Sequence, residues 1–121
     1  MILVAESDPS VRNLISEALL SQGYHMLQTA SGVDDLTVAR LHSEERVDLL
    51  VANIAIPKMG GIELAARLRM MQLDLRILFI STGFIIPQVL QVYKAEFLRK
   101  PFACGTMVAK VNKLLAKGSK M

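Results

Sequence analysis

The chain has 121 residues, a net charge of +3 and an apolar fraction of 52%. That is one domain of ordinary size with enough apolar material to bury a core. The single cysteine, Cys104, excludes an internal disulfide and suits a reducing, cytoplasmic setting. No signal peptide opens the chain, because Glu6 and Asp8 follow the first apolar residues at once. The longest uncharged run, Ile77 to Tyr93, is interrupted by Gly83 and Pro87, so no membrane span is expected.

The apolar runs are short and regularly spaced. Ile2 to Ala5 reads as a buried strand. Asp8-Pro9 then supplies an N-cap followed by proline at the first helical position. Val11, Ile15, Ala18 and Leu19 recur at helical spacing, and Gly23 ends that helix. Tyr24 to Thr29 is a second strand, and Val33, Leu36, Ala39 and Leu41 mark a helix from about Gly32 to His42. Leu49 to Ala52 is apolar on both faces, as a parallel strand covered on both sides must be. Gly60-Gly61 precedes a helix carrying Ile62, Leu64, Ala65, Leu68 and Met71. Ile77 to Ile80 is a fourth strand, Pro87 to Tyr93 a short helix and Ala95 to Leu98 a fifth strand. Val108, Val111, Leu114 and Leu115 mark a closing helix with Lys110, Lys113 and Lys117 facing out. Residues 1–117 are read as the domain and 118–121 as a tail or the start of a linker.

Five strands alternating with five helices imply an α/β fold, a doubly wound parallel sheet with helices on both faces. Right-handed crossovers and the short chain favour the flavodoxin-like order 2-1-3-4-5. The ligand site of such a sheet lies at the carboxyl ends of its central strands. Glu6, Ser7 and Asp8 follow the first strand, Asn53 the third, Ser81 and Thr82 the fourth, and Lys100-Pro101 the fifth. Taken singly these are ordinary residues: Asp8 is a helix cap first, Ser81 a loop hydroxyl and Lys100 a surface lysine.

Their order and spacing are specific. The stretch from Ile2 through Glu6-Ser7-Asp8-Pro9 to Arg12 resembles the opening of a receiver domain of two-component response regulators, where two acids follow the first strand. Asp48 to Gly61, with Asn53 and Pro57 inside it, resembles the stretch around the phosphoacceptor. Ile77 to Ser81 resembles the strand that ends in the switch hydroxyl, and Phe97-Leu98-Arg99-Lys100-Pro101-Phe102 the aromatic-then-Lys-Pro segment. The similarity runs from Ile2 to about Leu115.

The resemblance implies a domain that takes a phosphoryl group from a phosphohistidine onto an aspartate, with Mg²⁺ held by that aspartate, by the acid pair and by a backbone carbonyl. Carried over, Glu6 keeps one acid, Ser7 stands at the second, Asn53 at the acceptor, and Ala55 would supply the carbonyl. Ser81 matches the switch hydroxyl, Phe97 the switch aromatic, Lys100 the lysine, and Pro101 would follow a cis bond. An amide cannot form an acyl phosphate. With Glu6 the one remaining carboxylate of three, Mg²⁺ binding should be weak or absent, and no other cofactor is expected. Lys100 is expected to contact Glu6, the Asn53 side-chain oxygen, or both. A neutral Asn53 argues for an inactive-like resting geometry with Ser81 turned away from it. Lys58 and Gly60 depart from the family pattern, and the segment from Ser81 to Phe97 is short. Phe84, Ile85 and Ile86 either cover the core or form a contact surface.

The expectation is therefore a phosphorylation-independent pseudo-receiver. It would bind a protein partner or a second copy through the face made by the fourth helix, fifth strand and fifth helix, a histidine kinase or an output domain being the partner class implied. One alternative is a phosphoacceptor that uses Asp8. Another is a nucleic-acid or small-ligand module. Lys94 onward holds seven basic residues against Glu96 alone, but lacks interleaved aromatics and any reading motif, so nucleic acid is disfavoured. No catalytic residue is assigned and no enzymatic activity is expected: neither His25 nor His42 lies at a strand's carboxyl end, and Cys104 has no partner in the pattern.

Overall fold

The computed structural model describes residues 1–31, 46–56, 60–83, 85 and 87–119. In chain order the described elements are β1 (Ile2–Ala5), α1 (Pro9–Ser21), β2 (Met26–Thr29), β3 (Leu49–Asn53), α2 (Gly61–Met71), β4 (Arg76–Ser81), α3 (Pro87–Tyr93), β5 (Glu96–Arg99) and α4 (Cys104–Ser119). The helix expected over 32–42, His42, Pro57, Lys58, Phe84 and Ile86 lie outside the described residues. Thus α3 and α4 are the fourth and fifth helices of the sequence reading. Helix α4 runs on through Gly118 to Ser119, into the stretch read as a tail.

The five strands pair in parallel in the order β2-β1-β3-β4-β5, the expected flavodoxin-like arrangement. Side chains alternate across each strand, so the sheet feeds two cores. Leu3, Leu50, Ile77 and Phe79 pack on the face covered by Leu64, Ala65 and Leu68 of α2 and by Val89, Leu90 and Tyr93 of α3. Ile2, Val4, Val51 and Leu78 pack on the opposite face, against Ile15 and Leu19 of α1 and Met107, Val111 and Leu114 of α4. Complete burial of such side chains stabilises the fold by about 1.5–3 kcal/mol each. Ile85 is half-buried against the first core, on the core-cover side of the two readings of its loop.

Asp8 caps α1 as read: its Oδ1 accepts the Ser10 N–H at 2.9 Å, with Pro9 at the first turn. The helix closes at Gly23, whose φ of +88° is the left-handed geometry that glycine adopts without cost. Strand edges shift by a residue or two from the reading; β2 starts at Met26 rather than Tyr24, whose hydroxyl instead reaches Asn112 on α4.

Candidate functional site

The sheet register assembles the site. Ala5 pairs with Ala52, so the next residues, Glu6 and Asn53, leave adjacent strands side by side. Ser81 pairs with Arg99, and the Lys100 N–H donates to the Ser81 carbonyl at 2.8 Å, which brings Lys100 to the same rim.

Glu6 is the hub. Its side chain is 1% exposed, and both carboxylate oxygens are taken. Lys100 Nζ lies 2.6 Å from Oε1. Asn53 Nδ2 donates to Oε2 at 3.0 Å and to Oε1 at 3.3 Å, and the Asp8 N–H donates to Oε2 at 3.1 Å. A buried carboxylate is tolerated only when charge and lone pairs are met in this way. The Asn53 oxygen points the other way and accepts the Ala55 N–H at 3.0 Å. Of the two contacts expected for Lys100, the structure has the one to Glu6.

The remaining residues frame this centre. Ser7 is half-buried, and Asp8 is exposed and spent on its cap. Ser81 Oγ accepts the Gly83 N–H at 3.0 Å, within its own loop. Phe97 is half-buried on the α2–α3 side, paired in register with Phe79. The Lys100–Pro101 bond is cis. Two contributors escaped the sequence reading. Arg12 Nη1 donates to the Glu6 carbonyl at 2.8 Å and closes the β1–α1 loop; a long cation one turn into a helix that follows a polar loop was the available signal. In the sequence Gly60-Gly61 only precedes a helix, yet a Cβ at Gly61 would press into the Asn53 carbonyl, so only glycine lets α2 begin that close to the site.

Magnesium takes about six oxygen ligands in near-octahedral array. Here both Glu6 oxygens are bonded to protein donors and the Asn53 oxygen to a backbone N–H, so the donor set does not fit the ion. Among the described residues no group of three or more His, Cys, Asp or Glu side chains is arranged to hold a metal. Nor is any described helix long and apolar enough to cross a membrane.

Comparison with known proteins agrees with this architecture. The family model of the response regulator receiver domain matches residues 2–112. The chain is 37% identical over 118 residues to the response regulator receiver protein CpdR of Brucella abortus, covering 94% of this chain and 95% of that one. It is 31% identical over 120 residues to the sensor kinase CckA of the same organism, covering 96% of this chain but only 12% of the kinase. Among solved structures it resembles the response regulator TrrA of Thermotoga maritima in complex with Mg²⁺-BeF, with a TM-score of 0.77, 27% identity, and 93% of this chain and 96% of that chain covered. A receiver model matched over nearly the whole chain, on a 2-1-3-4-5 sheet, settles the family: the chain belongs to the response regulator receiver domains of two-component signalling.

Proposed function

We propose that this receiver works without phosphorylation, as a cytoplasmic interaction module rather than an enzyme. The observation that carries the reading is the Asn53 amide donating to Glu6. An aspartate at residue 53 has no N–H to give. In this pocket the amide and Lys100 together satisfy the Glu6 carboxylate, whose charge a metal ion would otherwise help to offset. Mg²⁺ binding is accordingly weak or absent. Ser81, held by Gly83, fits a resting geometry turned away from residue 53. The face of α3, β5 and α4 then serves a protein partner or a second copy, with a histidine kinase or an output domain as the class the family implies.

Incubation with acetyl phosphate and Mg²⁺, followed by intact mass, tests this. The expected result is an unchanged mass; one added phosphoryl group mapped to Asp8 or the pocket would overturn it. No observation favours Asp8 as acceptor, since its carboxylate caps α1.

A further inference from the structure

At the far end of the sheet from Asn53, the end of α2 and the turn after it leave three large apolar side chains in water: Met70 (84% exposed), Met71 (56%) and Leu73 (84%). Leu73 overhangs a cavity of about 420 Å³ whose apolar walls are Leu75, Tyr93 and Leu114. Arg69, Arg76 and Lys94 line the same cavity. Its two acids are already engaged: Asp74 with Arg46, whose hydrogen bond holds that carboxyl below its ordinary value, and Glu96 with Lys110 at 3.5 Å.

The three cations are held more loosely: Arg76 also lies within electrostatic reach of Asp74, and Arg69 sits over the Tyr93 ring at 5.8 Å from its centroid. Arg69 donates to the Leu75 and Tyr93 carbonyls, and its buried Nε has no hydrogen-bond partner among the described residues. Arg76 donates to the Asp74 carbonyl. Among the described residues none of the three forms an ion pair. Lys94 also has a φ of 51°, where glycine is the low-energy choice.

Exposed methionine and leucine beside a lining with more cations than acids describe a surface for an apolar partner of opposite charge. We propose that this surface docks an acidic amphipathic segment of a partner protein, with an apolar side chain entering the cavity beside Leu73 and Tyr93 and carboxylates meeting Lys94 and Arg76. A second copy is a poor occupant, because a two-fold contact would bring like-charged rims together. A small free anion would leave Met70 and Met71 uncovered. The assignment is independent of Asn53 and of phosphorylation.

The test uses the full ¹⁵N-labelled chain and a capped synthetic helix of Glu, Leu and Phe, with Leu and Phe on one face. Two control peptides carry Lys for Glu, or Ala for Leu and Phe. Saturable amide shifts at Leu73, Asp74 and Lys94 with the acidic peptide alone are expected. Raising salt should weaken them, and Leu73→Ala or Arg76→Glu/Lys94→Glu should weaken them about tenfold or more. A dispersed spectrum of each variant confirms its fold. Shifts confined to other surfaces, equal binding of the lysine peptide, or no saturation at millimolar peptide would overturn the proposal. So would concentration-dependent shifts of the same amides in the free chain, which would make a second copy the occupant.

Discussion

Glu6 concentrates the energetics of the pocket in one side chain. Its charge is buried and is matched by Lys100, which is 15% exposed. Removing one member of such a pair strands the other, and the stranded group decides the cost. Lys100→Met leaves Glu6 charged inside the sheet rim with only neutral donors, and is expected to cost about 3 kcal/mol. Glu6→Gln leaves Lys100, which can reach water, and should cost less, about 1–2 kcal/mol. Urea denaturation of the two variants checks the order, and a larger loss for Glu6→Gln would overturn the argument that the stranded buried carboxylate decides the cost. Asn53→Asp takes away both N–H bonds to Glu6 and sets a second carboxylate beside it. A deficit of about 2 kcal/mol at pH 7 is expected. Because the neighbouring charge favours the protonated form of the new acid in the folded state, the deficit should shrink as pH is lowered. Denaturation midpoints at pH 7 and pH 5, each against the parent chain, read it directly.

At the scale of elements, Asp8 and Gly61 show what local chemistry decides. Asp8→Ala removes the α1 cap and should cost about 1 kcal/mol, while the Asp8 N–H to Glu6 survives because it is backbone. Thermal melts measure the loss, and an unchanged Lys100 side-chain spectrum shows the pocket intact. Gly61→Ala drives a methyl group into the Asn53 carbonyl and must push α2 away, at about 2–3 kcal/mol by the same melts. The first effect was legible in the sequence, because Asp-Pro before an apolar helical pattern has one local meaning. The second was not, because the approach of α2 to the end of β3 exists only in the packed fold. Strand alternation and right-handed crossovers were enough for the strand order and for Glu6, Asn53 and Lys100 to meet. Which way the Asn53 amide faces, and the reach of Arg12 back to the β1–α1 loop, depend on hydrogen bonds between elements that no pattern encodes. The positive φ of Lys94 after α3 also needed the backbone itself to be seen.

For the whole molecule, the question is whether any ligand of the pocket still adds to stability. A ligand that binds only the folded state stabilises it by RT ln(1 + [L]/Kd). With a submillimolar Mg²⁺ site, 10 mM Mg²⁺ would contribute about 2 kcal/mol, raising the melting temperature of a domain this size by roughly 8 °C. In this chain Lys100 and the Asn53 amide already hold the Glu6 oxygens, and a divalent ion would have to displace an ammonium already paired with that carboxylate. The melting temperature in 10 mM MgCl₂ should therefore lie within about 1 °C of that in NaCl of equal ionic strength. The same titration on the variant Ser7→Asp/Asn53→Asp supplies the contrast. That variant places three carboxylates at the rim, and Lys100 is then outnumbered. Mg²⁺ should now raise its melting temperature by several degrees, relieving repulsion that the apo variant carries. A rise of several degrees in the parent chain would show that its Glu6 exchanges Lys100 for metal, and the reading of a pocket closed by its own side chains would fall.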